Sequence, residues 1–249
     1  MLVVGIGIAY YFHGRSTLPP SEPVPVPAPP AASSEPAIEH PVPASAATPS
    51  TPLPALNDSD SAVKDGLSSL IGANAMQYVV PEDIVRHFVV TIDNLPRQKA
   101  PAAKRPTAAV PGAFLANGDE EHATLDPKNY ERYDPMVNVV RQLDMQRVAN
   151  TYFHFYPLFQ NAYQNLGYPN GYFNDRLVQV IDSLLATPEL AGPIELSRPN
   201  VLYTFADPKL EALPAGQKLL LRMGPDNAAV IKGKLKELRA IITAAPPKH

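Results

Sequence analysis

Cysteine is absent from the 249 residues, which removes both a disulfide framework and any thiolate metal site. That absence suits an oxidising compartment such as a periplasm. The six histidines are scattered singly and no His-Glu-x-x-His occurs, so no metal centre is expected. Also missing are a Gly-x-Ser-x-Gly elbow, a phosphate-cradling glycine loop and a dinucleotide fingerprint, so no cofactor and no nucleotide partner are expected. An excess of positive charge is lacking too. From Asn57 onward the chain carries 20 Lys and Arg (21 in all, less Arg15) against 21 Asp and Glu (24 in all, less Glu22, Glu35 and Glu39). Such a balance does not neutralise a run of phosphates, and nucleic acid is not an expected partner.

A membrane-spanning hydrophobic run is the last absence. Met1 to Phe12 is almost purely apolar, but a helix of that length rises only about 18 Å, against roughly 30 Å for a bilayer core. It also lacks the basic start and the cleavage site of a signal peptide. We read residues 1–16 as a truncated N-terminal membrane helix, with Met1 an internal methionine of a longer product. A short apolar tail that associates with a membrane or a partner is the alternative.

Proline is what the chain has in plenty. Thr17 to Leu56 holds 13 of the 30 prolines, in runs such as Pro23-Val24-Pro25-Val26-Pro27. These fix φ, remove backbone donors and offer little bulk to collapse upon, which predicts a disordered linker at 17–56. Fully extended at roughly 3.1 Å per residue, such a stalk reaches on the order of 120 Å. The order anchor, stalk, head predicts a single-pass protein of the bacterial inner membrane. Its globular domain, 57–243, would lie in the periplasm, and 244–249 would be a disordered tail.

The fold expected of the head is mainly α, a compact helical domain with a few short β-strands or a hairpin. Asn57-Asp58-Ser59 supplies capping oxygens ahead of a helix to about Ile71, and Pro81-Glu82-Asp83 opens another that ends at Leu95-Pro96. Asn117-Gly118 suggests a turn between short strands. Asp134-Pro135 starts a helix to about Leu143. Met145 to Leu166 then sets Tyr152, Tyr156, Phe159 and Tyr163 on one helical face, which reads as core rather than as a cofactor pocket, and Pro157 is expected to kink or divide it. A helix over Asn174 to Thr187 follows, then short strands near 193–196 and 201–205. Helices at Pro214 to Met223 and Asp226 to Thr243 complete the head, the last with a basic face of Lys232, Lys234, Lys236 and Arg239 that reads as solvated surface.

Catalytic chemistry is sparse. Ser61-Ala62-Val63-Lys64 has the Ser-x-x-Lys spacing of penicillin-binding enzymes but not their Ser-Asp-Asn and Lys-Thr-Gly companions, and no catalytic residue is assigned. A cell-wall glycan hydrolase would need a carboxylate pair, for which Asp175, Asp182 and Glu195 are candidates. The densest polar cluster is Tyr168 to Arg176. There Tyr168, Tyr172, Asn174, Asp175 and Arg176 form a candidate binding site for a peptide or sugar, or else cap and staple a helix start.

The runs Thr91-Ile92-Asp93-Asn94-Leu95-Pro96-Arg97, Tyr130-Glu131-Arg132-Tyr133-Asp134-Pro135, Phe155-Tyr156-Pro157-Leu158-Phe159-Gln160, Gly167 through Leu177 and Gly216 through Pro225 together resemble a proteobacterial family. It is catalogued as domain of unknown function number three thousand and fourteen, and the resemblance covers about Leu56 to Ile242. It implies a single-pass envelope protein with a proline-rich stalk, and it brings no activity, cofactor or catalytic residue. The expected function is a membrane-tethered periplasmic interaction module, non-catalytic, whose partners are the membrane and an envelope protein or cell-wall component. The alternatives are the wall hydrolase and a structural envelope spacer.

Overall fold

The computed structural model describes residues 37–44, 52–101, 104–119, 122–199 and 202–244, all within a compact unit that spans Pro36–His249. The proposed anchor at 1–16, much of the proline-rich stretch and the tail at 245–249 lie outside the described residues. Among those described, no helix is long and apolar enough to cross a membrane.

The head is mainly helical with one small sheet, as expected. Helix α1, Asp60–Ile71, follows a 3-10 turn at Leu56–Asp58. Its expected caps do something else: Ser59 Oγ donates back to Leu56 O at 2.8 Å. Asp60, at the start of α1, instead accepts from the amides of Asp83 at 2.8 Å and Ile84 at 2.9 Å. A carboxylate from one helix thereby caps the next, α2, Ile84–Asn94, satisfying donors that no local residue reaches. A second 3-10 stretch, Ala73–Tyr78, lies between them.

Two short helical segments follow the first hairpin, α3 at Lys128–Glu131 and α4 at Asp134–Gln142, the latter with the expected proline at its start. Asp144 then caps α5, Met145–Asn165, accepting from the amides of Gln146 and Arg147. This helix is not divided at Pro157. A mid-helix proline costs roughly 3 kcal/mol, whereas Phe155, Tyr156 and Leu158 beside it are all buried, and each large apolar side chain returns about 1.5–3 kcal/mol on burial. Packing therefore outweighs the broken hydrogen bond.

Helix α6, Phe173–Leu185, α7, Pro208–Glu211, α8, Ala215–Arg222, and α9, Pro225–Ile242, complete the helical set. Strands β1 (Ala116–Asn117), β2 (Ala123–Leu125), β3 (Glu195–Ser197) and β4 (Thr204–Phe205) pair antiparallel in that order. The register places Ala123 opposite Leu196 and Leu196 opposite Phe205, so period-two alternation turns these residues together with Leu125 onto one buried face. Gly224 links α8 to α9 at φ 85°, and a Cβ there would stand 2.5 Å from the Tyr130 ring. Only glycine meets both demands at this position.

The main helical core joins α1, α2, α5 and the start of α6. Ala149, Val178, Ile181 and Ile242 form a second cluster that ties α9 to α5 and α6. The expected solvated basic face of α9 turns out to be employed. Lys234 Nζ donates to Leu143 O at 2.8 Å, just past the end of α4, and Lys232 Nζ donates to Thr187 O at 2.6 Å, beyond the end of α6. Both ammonium groups meet the carbonyl ends of other helices, where a cation is favoured. Lys234→Met keeps the apolar stem and deletes that contact. It is expected to lower stability by about 1–2 kcal/mol, read as a reduced urea midpoint at unchanged slope.

Two carboxylates outside the core are held in their charged form by their partners. Hydrogen bonds from Arg239 hold the Asp182 carboxyl below its ordinary value, against the opposing effect of burial. Burial pushes Glu211 up, but Lys218, at 2.8 Å, and the amide of Phe205 outweigh it and leave the carboxyl lowered. Since the folded values lie below the unfolded ones, this stability is fully present above the ordinary carboxylate range and is lost as pH falls through the folded values. The melting temperature should therefore drop on acidification below about pH 4.5. Asp182→Asn with Glu211→Gln should flatten that acid limb, and an unchanged limb would assign it to other groups.

Candidate functional site

Residues 37–43, read from the sequence as part of a disordered stalk, lie against the head as an irregular strap. Val42 is 7% exposed within the main helical core, and Leu53 and Leu56 further along the same stretch also pack on it. Composition misled here because proline-rich sequence suits a docked extended segment as well as a free one.

The strap is held by the turn that opens α6. The amide of His40 donates to Asp175 Oδ1 at 2.7 Å and the amide of Glu39 to Oδ2 at 3.1 Å. The amide of Val42 donates to the Tyr172 hydroxyl at 2.8 Å. Asn174 Nδ2 donates to His40 O at 2.8 Å and to Ile242 O at 3.1 Å. Four hydrogen bonds thus run from three residues of the turn, Tyr172, Asn174 and Asp175, to the backbone of the strap, and none requires a particular strap side chain.

Asn174 is completely buried, and its orientation follows from satisfiability. Both Nδ2 hydrogens meet carbonyls, so Oδ1 must accept, and it does so from the Tyr152 hydroxyl at 3.0 Å. Burial holds the Tyr152 phenol well above its usual pKa, so the donor stays protonated. Gln160 fixes the turn itself, accepting from the Phe173 amide at 2.8 Å and donating to Gly171 O at 2.7 Å. Phe173, also fully buried, stacks on Phe159 at 5.7 Å between ring centroids. The aromatic face of α5 is therefore core, as expected, and also the floor beneath this clasp.

The remaining two candidate residues do different work. Arg176 Nε donates to Asp93 Oδ1 at 3.0 Å and Nη2 donates to Asp93 O at 2.6 Å. Arg97 reaches Asp93 Oδ2 at 2.7 Å and the Tyr168 hydroxyl at 2.9 Å. Tyr168 stacks on Tyr163 at 4.6 Å. Tyr168 and Arg176 thus close a network around a buried aspartate, whereas Tyr172, Asn174 and Asp175 face the strap. Asp93 and Gln160 were not singled out by sequence reasoning, because nothing local marks them as partners of a turn about 80 and 11 residues further on. The one available signal was Asp93 itself, an acid at the carbonyl end of a helix, where the dipole disfavours it.

The hydrolase candidates do not converge on a common task. Asp175 is taken by strap amides and Asp182 by Arg239. Glu195 lies on β3, opposite Thr124. Ser61 is exposed on α1. Among the described residues no group of three His, Cys, Asp or Glu is placed to hold a metal. A separate, open concavity of about 790 Å³ lies between the sheet and the start of α9, lined by Leu125, Tyr130, Ile194, Asp226 and Lys232 among others.

No curated protein and no solved structure matches the chain. A family model described as "Protein of unknown function (DUF3014)" matches residues 84–239, a span that contains the clasp and Asp93 but not the strap. That match covers well over half of the chain, which therefore belongs to the DUF3014 family.

Proposed function

We propose that this protein is a membrane-tethered interaction module of the bacterial envelope. Residues 1–16 belong to an inner-membrane anchor, the proline-rich stretch spaces the head from the bilayer, and the head captures an envelope protein or cell-wall component in the periplasm without turning it over. One observation carries the capture step. Tyr172, Asn174 and Asp175 grip a segment through three amides and one carbonyl, which is how peptide-binding sites hold extended ligands. Tethering raises the effective concentration near the membrane, so a modest affinity suffices. Hydrolysis finds less support, since both α6 carboxylates offered for it are engaged by other groups.

In-cell crosslinking of the membrane-anchored full chain tests this reading, with circular dichroism as the check on folding. Asp175→Ala should lose a defined partner that the wild type captures. Val42→Ser, which loosens the strap but leaves the clasp, should capture more of it. A partner indifferent to both changes would move capture elsewhere on the head, and no partner in any variant would leave a structural spacer.

A further inference from the structure

We infer that the clasp reads a five-residue backbone pattern, two non-prolines followed by Pro-Val-Pro, and that Ser21–Pro25 of the same chain is its second occupant. This rests on the reading of the clasp as a peptide-binding site and names the ligand class. The resident strap defines the rule. Positions one, two and four (Glu39, His40, Val42) donate their amides, and position two also offers its carbonyl. Positions three and five are Pro41 and Pro43, which have no amide to leave unpaired. Position four buries a valine side chain.

Pro-Val-Pro occurs at 23–25, 25–27 and 41–43. The copy at 25–27 has Pro23 at position one and so lacks a donor that Asp175 needs. Ser21-Glu22-Pro23-Val24-Pro25 keeps every donor, the carbonyl, both prolines and the buried valine. It differs at positions one and two, with Ser21 where Glu39 stands and Glu22 where His40 stands, positions that the clasp holds through the backbone. Glu39–Pro43 is the resident occupant, and Ser21–Pro25 the alternative one. Because both belong to one chain, the second competes as an intramolecular ligand. Exchange moves the docked point 18 residues toward the N-terminus (Val42 to Val24). At roughly 3.1 Å per residue that shortens the free tether by on the order of 55 Å, so the clasp sets the reach of the head.

The cysteine-free chain allows a unique spin-label pair, Ser21→Cys with Asn170→Cys in the exposed turn before α6. Electron-electron distance measurements on the full chain should show a minor short-distance population. Glu39→Pro with His40→Pro, which removes two strap donors, should raise its ratio to the long-distance form about tenfold or more. Adding Glu22→Pro should abolish it. No short population after the strap is disabled would overturn the inference. A short distance between singly labelled chains that disappears on dilution would also overturn it, assigning the occupant to a second copy. Should the double-proline variant unfold, an acetylated Ser21–Val26 peptide titrated into the wild-type full chain replaces it. Shifts at Tyr172 that a Glu22→Pro peptide fails to cause support the inference, and their absence overturns it. Loss of this occupant with Asp175-dependent capture retained would leave the proposed function standing.

Discussion

Asp93→Ala is expected to destabilise the head by about 3–5 kcal/mol, a large share of the roughly 5–15 kcal/mol that holds a domain folded. Asp93 is 2% exposed at the end of α2 and is paired with both Arg97 and Arg176. The burden falls on Arg176, whose side chain is only 18% exposed and would keep its charge in place after the carboxylate is gone. Arg97 is more than half exposed and would return to water, so its pair contributes little. If the cost is the stranded charge, Asp93→Ala with Arg176→Met should recover a good part of the loss. Denaturant midpoints for the two single variants and the double measure the coupling. An Asp93→Ala loss below about 1 kcal/mol would mean that the network behaves as a surface ion pair.

Phe173→Ala should be comparably severe, at about 3–5 kcal/mol. Its ring has no solvent exposure and lies 5.7 Å from Phe159, 5.6 Å from Tyr163 and 6.4 Å from Tyr152, centroid to centroid. Few side chains remain to collapse into the space, because Phe159 and Tyr163 are fixed on α5. In a head of this size the melting temperature should fall by on the order of 10 °C. The residue also separates Tyr172 from Asn174, so amide exchange at Val42 should accelerate below the melting point. A melt with no such local loosening would separate the clasp from the core.

What was legible in the sequence is what depends on neighbours along the chain. The apolar rhythm located α2, α5 and α9 to within a few residues, Asp134-Pro135 marked the start of α4, and the crowding of polar and aromatic residues at 168–176 drew attention to the turn that forms the clasp. What depends on distant partners stayed hidden. Asn57, Asp58 and Ser59 looked like caps for α1, whereas Asp60 beside them caps the next helix, since cap chemistry specifies an acceptor but not which helix it serves. The lysines of α9 looked solvated because no local signal marks a carbonyl end contributed by another helix. Asp93 and the strap are the same case: their residue types invite partners without naming them. The strands expected near 193–196 and 201–205 overlap β3 and β4, but Asn117, read as part of a tight turn, lies within β1, and nothing in residues 123–125 identified residues 195–196 as their neighbours.

That last pairing has a kinetic consequence. The β1–β2 and β3–β4 pairs are local, but hairpins this short are marginal by themselves. The sheet gains its buried face only when Ala123 meets Leu196, which closes a loop containing α3, α4, α5 and α6. The entropy of that closure must be met before its contacts form. Prior formation of helices α5 and α6 would shorten that search, and the sheet with its Leu125, Leu196 and Phe205 core is expected to be the late step in reaching the native state.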